Sequence, residues 1–217
     1  MKILYSIIIL GIVIFSNGCK KSQGTFSISG KISNMDNNNS IAEARVYLDA
    51  KILQNGVYNS SFTNIASATS QSDGNYSFEI EEQTISDYRF RVVRTGYFDI
   101  EEIVSVDILQ ASNTFSKNFK LTEEAWVELI VNNTMPQDLD DEINYRFSNI
   151  EVSGKDCCSN ELHIGIGPTY SATTLCKTKS SKWIKIEWVI KKNGGQVLKF
   201  DSIYTDAQQT ATYHINY

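Results

Sequence analysis

The sequence predicts an all-β chain built as two β-sandwich domains in tandem, behind an apolar N-terminal segment. Three observations predict the sandwiches. Apolar residues recur at every second position in many short segments, the period of a half-buried strand. Turn signals separate these segments, above all Asp73-Gly74 and Asn193-Gly194-Gly195. No stretch beyond the N-terminal segment sustains a helical period, and regular short strands between turns are the pattern of a sandwich.

Composition agrees. The 217 residues suffice for one or two compact domains. Tyr, Phe, Ile and Val can fill a core, and Asn and Ser suit the turns. Only Pro136 and Pro168 break the run of other residues, so the chain is not a Pro-rich linker. The net charge is -5 with no basic stripe, which argues against nucleic acid as a partner.

Residues 1–18 read as a targeting signal. Lys2 supplies a short positive start, and Ile3 to Phe15 is an almost unbroken apolar run. It is too short for a transmembrane helix of about 20 residues and fits a signal core. It meets Ser16-Asn17-Gly18-Cys19, which resembles the lipobox of bacterial lipoproteins. That resemblance implies cleavage after Gly18, a diacylglycerol on Cys19 Sγ and acylation of the freed amine. Several acyl chains on one residue give stable membrane anchoring. Residues 19–24 then form a polar tether. Lys20-Lys21 after the cysteine points, by the same resemblance, to the outer membrane of the cell envelope, with its face left open.

The first domain is expected over residues 25–122. Phe26, Ile28 and Ile32 alternate with Ser27, Ser29 and Lys31. Asn34 to Ser40 is a polar loop, and Ala44, Val46 and Leu48 form a second strand. Lys51 to Thr63 has weak pattern and reads as an extended loop or an insertion. After Asp73-Gly74 come Tyr76, Phe78 and Ile80, then Tyr88, Phe90 and Val92 alternating with Arg89 and Arg91. Gly96 breaks the run. Ile103 to Leu109 and Phe115 to Leu121 complete the strands. The order Phe26-Ser-Ile-Ser-Gly30-Lys-Ile32, Ile41-Ala-Glu-Ala44-Arg-Val46, Ser72-Asp73-Gly74-Asn75-Tyr76-Ser77-Phe78 and Arg94-Thr95-Gly96-Tyr97 resembles the carboxypeptidase regulatory-like domain. The resemblance implies a prealbumin-like (transthyretin-like) sandwich serving as an accessory module.

The second domain is expected over residues 123–217, with the boundary near Thr122 to Ala125 and the two domains packed end to end. Ala125, Val127, Leu129 and Val131 alternate with Trp126, Glu128 and Ile130. Ile143, Tyr145 and Phe147 form the next strand. Ile184, Ile186, Trp188 and Ile190 share one face, opposite Trp183, Lys185 and Glu187. Asn193-Gly194-Gly195 turns the chain into a return strand, Val197 to Tyr204. Ala211, Tyr213, Ile215 and Tyr217 form a closing strand.

No residue pattern names a catalytic residue, a metal centre or a cofactor. His163 and His214 begin no metal-binding pair, and no G-x-S-x-G occurs. The carboxylates are scattered, although an enzyme centred on His163 or on them stays an alternative. Cys157, Cys158 and Cys176 permit a disulfide from Cys176 to either neighbour, a Cys157–Cys158 bridge, or a metal site with His163. Asp138 to Glu142 is acidic enough for calcium but reads better as a solvated loop. Gly165-Ile166-Gly167 before Pro168 is a turn. Trp126 and Trp183 fall on solvent-side faces, where they can stack on sugars, anchor a protein or pack beneath a loop. The sequence thus points to a non-catalytic lipoprotein, held to the membrane by Cys19, acting as a structural or protein-interaction module of the envelope. A glycan-binding accessory of polysaccharide uptake is the alternative.

Overall fold

The computed structural model describes residues 24–54, 56–58, 60–81, 83–110 and 113–217. The expectations for segment 1–18 and for Cys19 lie outside the described residues. The regular structure is strand apart from one four-residue helical turn among the described residues. The first sandwich holds β1 (Thr25–Asn34), β2 (Arg45–Gln54), β3 (Val57–Tyr58), β4 (Thr63–Thr69), β5 (Asn75–Glu81), β6 (Ile85–Val93) and β7 (Ile100–Ser105). It closes with a helical turn α1 (Val106–Leu109) and strands β8 (Thr114–Ser116) and β9 (Phe119–Leu121). The second holds β10 (Glu124–Asn132), β11 (Glu142–Ser148), β12 (His163–Ile166), β13 (Ser171–Lys179), β14 (Lys182–Lys192), β15 (Gly195–Thr205) and β16 (Thr210–Asn216).

The alternation sets which residues go inside. Ile28, Ile32, Val46, Leu48, Tyr88, Phe90 and Leu121 are fully buried in the first core. Val127, Leu129, Ile143, Phe147, Ile186 and Trp188 fill a separate second core. Full burial of one such side chain contributes about 1.5–3 kcal/mol. Gly30 meets a harder constraint than propensity. A Cβ there would lie 1.7 Å from the Lys117 carbonyl oxygen, where the chain crosses β1 between β8 and β9. The crossing is fixed by Lys117 N–H donating to Ser29 O (2.9 Å) and by Tyr76 Oη donating to Lys117 O (2.8 Å).

Both sandwiches have one strand order. β1 lies between antiparallel β5 and parallel β8 and β9; β10 lies between antiparallel β13 and parallel β16. The facing sheets run β4-β2-β6-β7 and β12-β11-β14-β15, all antiparallel, with β3 sharing the β4 edge of β2. The two halves are therefore a topological repeat.

Three local readings need correction, and one strand was not read at all. Lys51 to Thr63 is no featureless insertion: β2 continues to Gln54 and β3 pairs back on it, Leu53 opposite Tyr58. Ile103 to Leu109 is not one strand, because β7 ends at Ser105 and α1 follows. Its Leu109 is fully buried and Val106 packs against the same core, a spacing of three that a helical turn satisfies. Strand β4 carries only one large apolar residue, Ile65, and no alternation marks it. Gly165 belongs to β12 and not to a turn; a Cβ there would strike the Tyr170 ring at 2.3 Å, while Gly167 turns the chain at φ +100°.

The joint between the sandwiches is short and bonded. Phe98 N–H donates to Thr122 O and Glu124 N–H to Gly96 O, both at 2.9 Å. From the second sandwich, Ser180 N–H donates to Glu123 O (3.0 Å) and Gln208 N–H to Glu124 O (2.8 Å). Lys177 Nζ pairs with Glu124 Oε1 at 2.6 Å and lies 5.2 Å from the Phe98 ring centre.

Candidate binding face of the second sandwich

The two-residue turn at Asn193-Gly194 fixes the β14–β15 register, pairing Lys192 with Gly195 and, at the far end, Trp183 with Tyr204. Opposed residues of an antiparallel pair share a face. Trp183, Lys185, Glu187 and Val189 of β14 therefore lie outward with Tyr204, Ser202, Phe200 and Leu198 of β15. Trp183 is 60% exposed, Phe200 80%, Leu198 66% and Tyr204 40%. The Trp183 and Tyr204 ring centres are 5.3 Å apart at 59° between planes. Two ion pairs cross the same face, Arg146–Glu187 (2.8 Å) and Lys191–Glu142 (2.7 Å). Each carboxyl sits below its ordinary range, Glu187 through the hydrogen bonds of Arg146 and Glu142 through those of Lys191. On the far edge Ile164 and Ile166 of β12 are also exposed. The face is thus apolar and aromatic at its margins and charge-matched in its middle.

Trp126 does not join this face. It lies half-buried on β10, flanked by Lys177 and Thr210, on the outside of the opposite sheet. The two indoles expected to face solvent therefore point away from each other. Only Trp183 is broadly exposed. Its companions Phe200, Leu198 and Tyr204 escaped the sequence reading, although counting outward from the Asn193-Gly194 turn pairs Trp183 with Tyr204.

Of the cysteine arrangements left open, the structure joins Cys158 to Cys176, with Cα atoms 4.8 Å apart, and leaves Cys157 a half-buried thiol. The bond consumes two of the four ligands of the His163 metal arrangement. No group of three or more His, Cys, Asp or Glu able to hold a metal occurs among the described residues. His163 instead stacks on Tyr145, ring centres 5.1 Å apart. Cys157 and His163 both line a shallow cleft of about 180 Å³.

The acidic loop is not wholly solvated. Asp138 and Asp140 are exposed, but Asp141 is fully buried. Its Oδ2 accepts from Asn133 Nδ2 (2.8 Å) and Gln137 N–H (2.9 Å), with Lys192 Nζ at 3.5 Å. Burial alone would raise this carboxyl; Asn133, the Gln137 and Asp138 amides and the Lys192 charge outweigh it and hold the group below its usual range. The loop thus spends its innermost carboxylate on Lys192 and its own backbone.

No protein-family model matches the chain, and no curated protein matches it. Among solved structures, the Bacillus anthracis TIE protein overlaps 89% of this chain at 11% identity and a TM-score of 0.37. The chain spans only about a third, 34%, of that protein. The shaft pilin SpaA from Lactobacillus rhamnosus GG overlaps 89% of this chain and 98% of its own, at 8% identity and a TM-score of 0.31. Chlorocatechol 1,2-dioxygenase from Pseudomonas putida overlaps 46% of this chain and 60% of its own, at 12% identity and 0.32. Overlaps this loose carry no argument; the all-β assignment stands on the strands themselves.

Proposed function

We propose that this chain is a non-catalytic lipoprotein of the bacterial cell envelope, anchored through Cys19, whose two sandwiches act as a structural or protein-interaction module. The observation that carries the interaction reading is the outward face of β14 and β15, where Trp183, Leu198, Phe200 and Tyr204 stand exposed together, since contiguous exposed apolar groups mark interaction sites. The anchor rests on the apolar run Ile3 to Phe15 ending in Ser16-Asn17-Gly18-Cys19. The first sandwich is read as a carboxypeptidase regulatory-like, prealbumin-like domain on its four motif segments, and the second repeats its strand order. The non-catalytic reading is supported by the ion pairs that already match the clustered charges of both sheets. Its partner is an envelope protein.

The anchor is tested by cell fractionation of the full chain and of Cys19→Ala. The full chain should sediment with outer membranes, and Cys19→Ala should be lost from them. Equal membrane retention of both would defeat the reading.

A second reading, a glycan-binding accessory of polysaccharide uptake, is favoured by Trp183 beside Tyr204. Exposed aromatic rings present apolar faces on which pyranose C–H groups stack. Affinity electrophoresis in polysaccharide gels should show retardation of the protein that Trp183→Ala lowers by about tenfold in affinity, a loss of roughly 1.4 kcal/mol. Unretarded migration across a broad glycan panel would remove this reading.

A further inference from the structure

The edge strand β15 carries a self-complementary pattern, and we propose that two copies of this chain pair antiparallel along it, with the two-fold axis at Phe200. This inference stands apart from the anchor and the glycan reading. β15 is the last strand of its sheet, and Gly195 to Asp201 are seven successive exposed residues. A long exposed apolar edge is a template for another strand unless it is blocked.

The backbone phase selects the register. Thr205 O accepts Ser181 N–H on the β14 side. Backbone groups alternate in direction along a strand, so odd-numbered residues of β15 bond to β14 and even-numbered ones face the open edge. Ser202 obeys this: its N–H donates to the Asp201 side chain (Oδ1, 2.7 Å). An antiparallel pair bonded through even residues on both copies can be centred on Phe200, on another even residue, or on an odd one.

Charge decides among these. With the axis at Phe200, Lys199 of each copy stands opposite Asp201 of the other, giving two cross-strand ion pairs. On the same face Val197, now exposed, stands opposite Ile203. On the outer face Phe200 meets Phe200, and Leu198 meets Ser202. Centring on Lys199 sets lysine against lysine, and centring on Asp201 sets aspartate against aspartate; like charges directly opposed are destabilising. Centring on Leu198 or Ser202 leaves both charges unmatched. Tyr213 Oη already donates to Asp201 Oδ2 (2.6 Å), which fixes that carboxylate on the face where Lys199 of the second copy arrives. In the paired state Ser202 N–H turns to Leu198 O of the second copy, and Asp201 Oδ1 is released to the lysine.

The test is sedimentation equilibrium of the full chain in a density-matched detergent. The chain should show a concentration-dependent dimer. Lys199→Asp and Asp201→Lys should each weaken it on the order of tenfold, because each turns two attractive pairs into two repulsive ones. An equimolar mixture of the two variants should recover the dimer, as should the double variant Lys199→Asp/Asp201→Lys. A chain monomeric up to about 1 mM, the weakest range of specific association, overturns the proposal. So does a dimer indifferent to both reversals, or one that neither the mixture nor the double variant restores.

Discussion

At the scale of single residues, Asp49 shows how a charge placed in a strand becomes structural. Its side chain is nearly completely buried on β2, yet it accepts from Arg89 Nη2 (2.8 Å), Arg91 Nη2 (3.1 Å) and Asn64 Nδ2 (3.1 Å). Phe62 lies 4.3 Å from the Arg89 guanidinium and Tyr47 lies 4.7 Å from that of Arg91, so both cations are held by rings as well. Burial alone would raise the Asp49 carboxyl; the hydrogen bonds of Arg91, Asn64 and Arg89 outweigh it and hold the group below the ordinary aspartate range. Removing one partner of such a group leaves the others uncompensated, so Asp49→Ala should cost roughly 3 kcal/mol at pH 7. The sign in pH follows from the depressed value. The folded form binds its proton less readily than the unfolded chain, so the stabilisation is complete above the unfolded value near 4 and is lost as pH falls through the lower folded one. Urea unfolding should therefore show the gap between wild type and Asp49→Ala narrowing below about pH 4. A gap that stays constant as pH falls from about 4 to about 2.5 would mean the carboxylate charge is not what holds the cluster.

At the scale of elements, what the sequence disclosed depends on how local the determining signal is. β1, β6, β10, β11 and β14 were readable because a strand buried on one face must alternate, as Tyr88, Val127, Ile143 and Ile186 do with their neighbours two residues on, and as Phe26, Ile28 and Ile32 do across Gly30. The β14–β15 hairpin was readable because Asn193 and Gly194 both take the positive φ that its turn requires, 50° and 72°. β4 was not, since Thr63, Ser67 and Thr69 look like loop residues and only pairing with β2 makes them strand. The parallel partners of β1 were also hidden: β8 and β9 reach it across more than eighty residues, and nothing near either end announces the pairing. The candidate face was half legible for the same reason. Trp183 was assigned to the outer side by parity along β14, while Phe200 and Leu198 belong there through register with a neighbour, and Asp141 was drawn inward by Lys192 from fifty residues away.

At the scale of the whole molecule, the repeated strand order and the joint act together. No repeat is visible in the residues, yet the second sandwich places β10 between β13 and its last strand β16, as the first places β1 between β5 and its last strands β8 and β9. That topology brings the start of β10, the Gly96 turn and the turn before β16 to one place. There Gly96 takes a φ of +83° that L side chains rarely adopt, with the Gln208 side chain packed against it. Glu124 N–H on Gly96 O, Tyr97 Oη on Glu123 Oε1 (3.1 Å) and Lys177 beside the Phe98 ring cross from one sandwich to the other, and the backbone bonds of Thr122, Glu123 and Glu124 leave no free linker between β9 and β10. The halves should therefore tumble as one body. Backbone 15N relaxation should give a single rotational correlation time for β1–β9 and β10–β16. Inserting Gly-Ser-Gly-Ser after Thr122 frees Glu123 and Glu124 to leave Tyr97 and Gly96 while they stay bonded to Ser180 and Gln208, and should make the two halves tumble separately with shorter times, each core remaining folded. Distinct correlation times in the uninserted chain would show that these bonds do not couple the sandwiches. A coupled pair would hold the β14–β15 face at a fixed orientation to β1, which is what a module that presents one face to a partner requires.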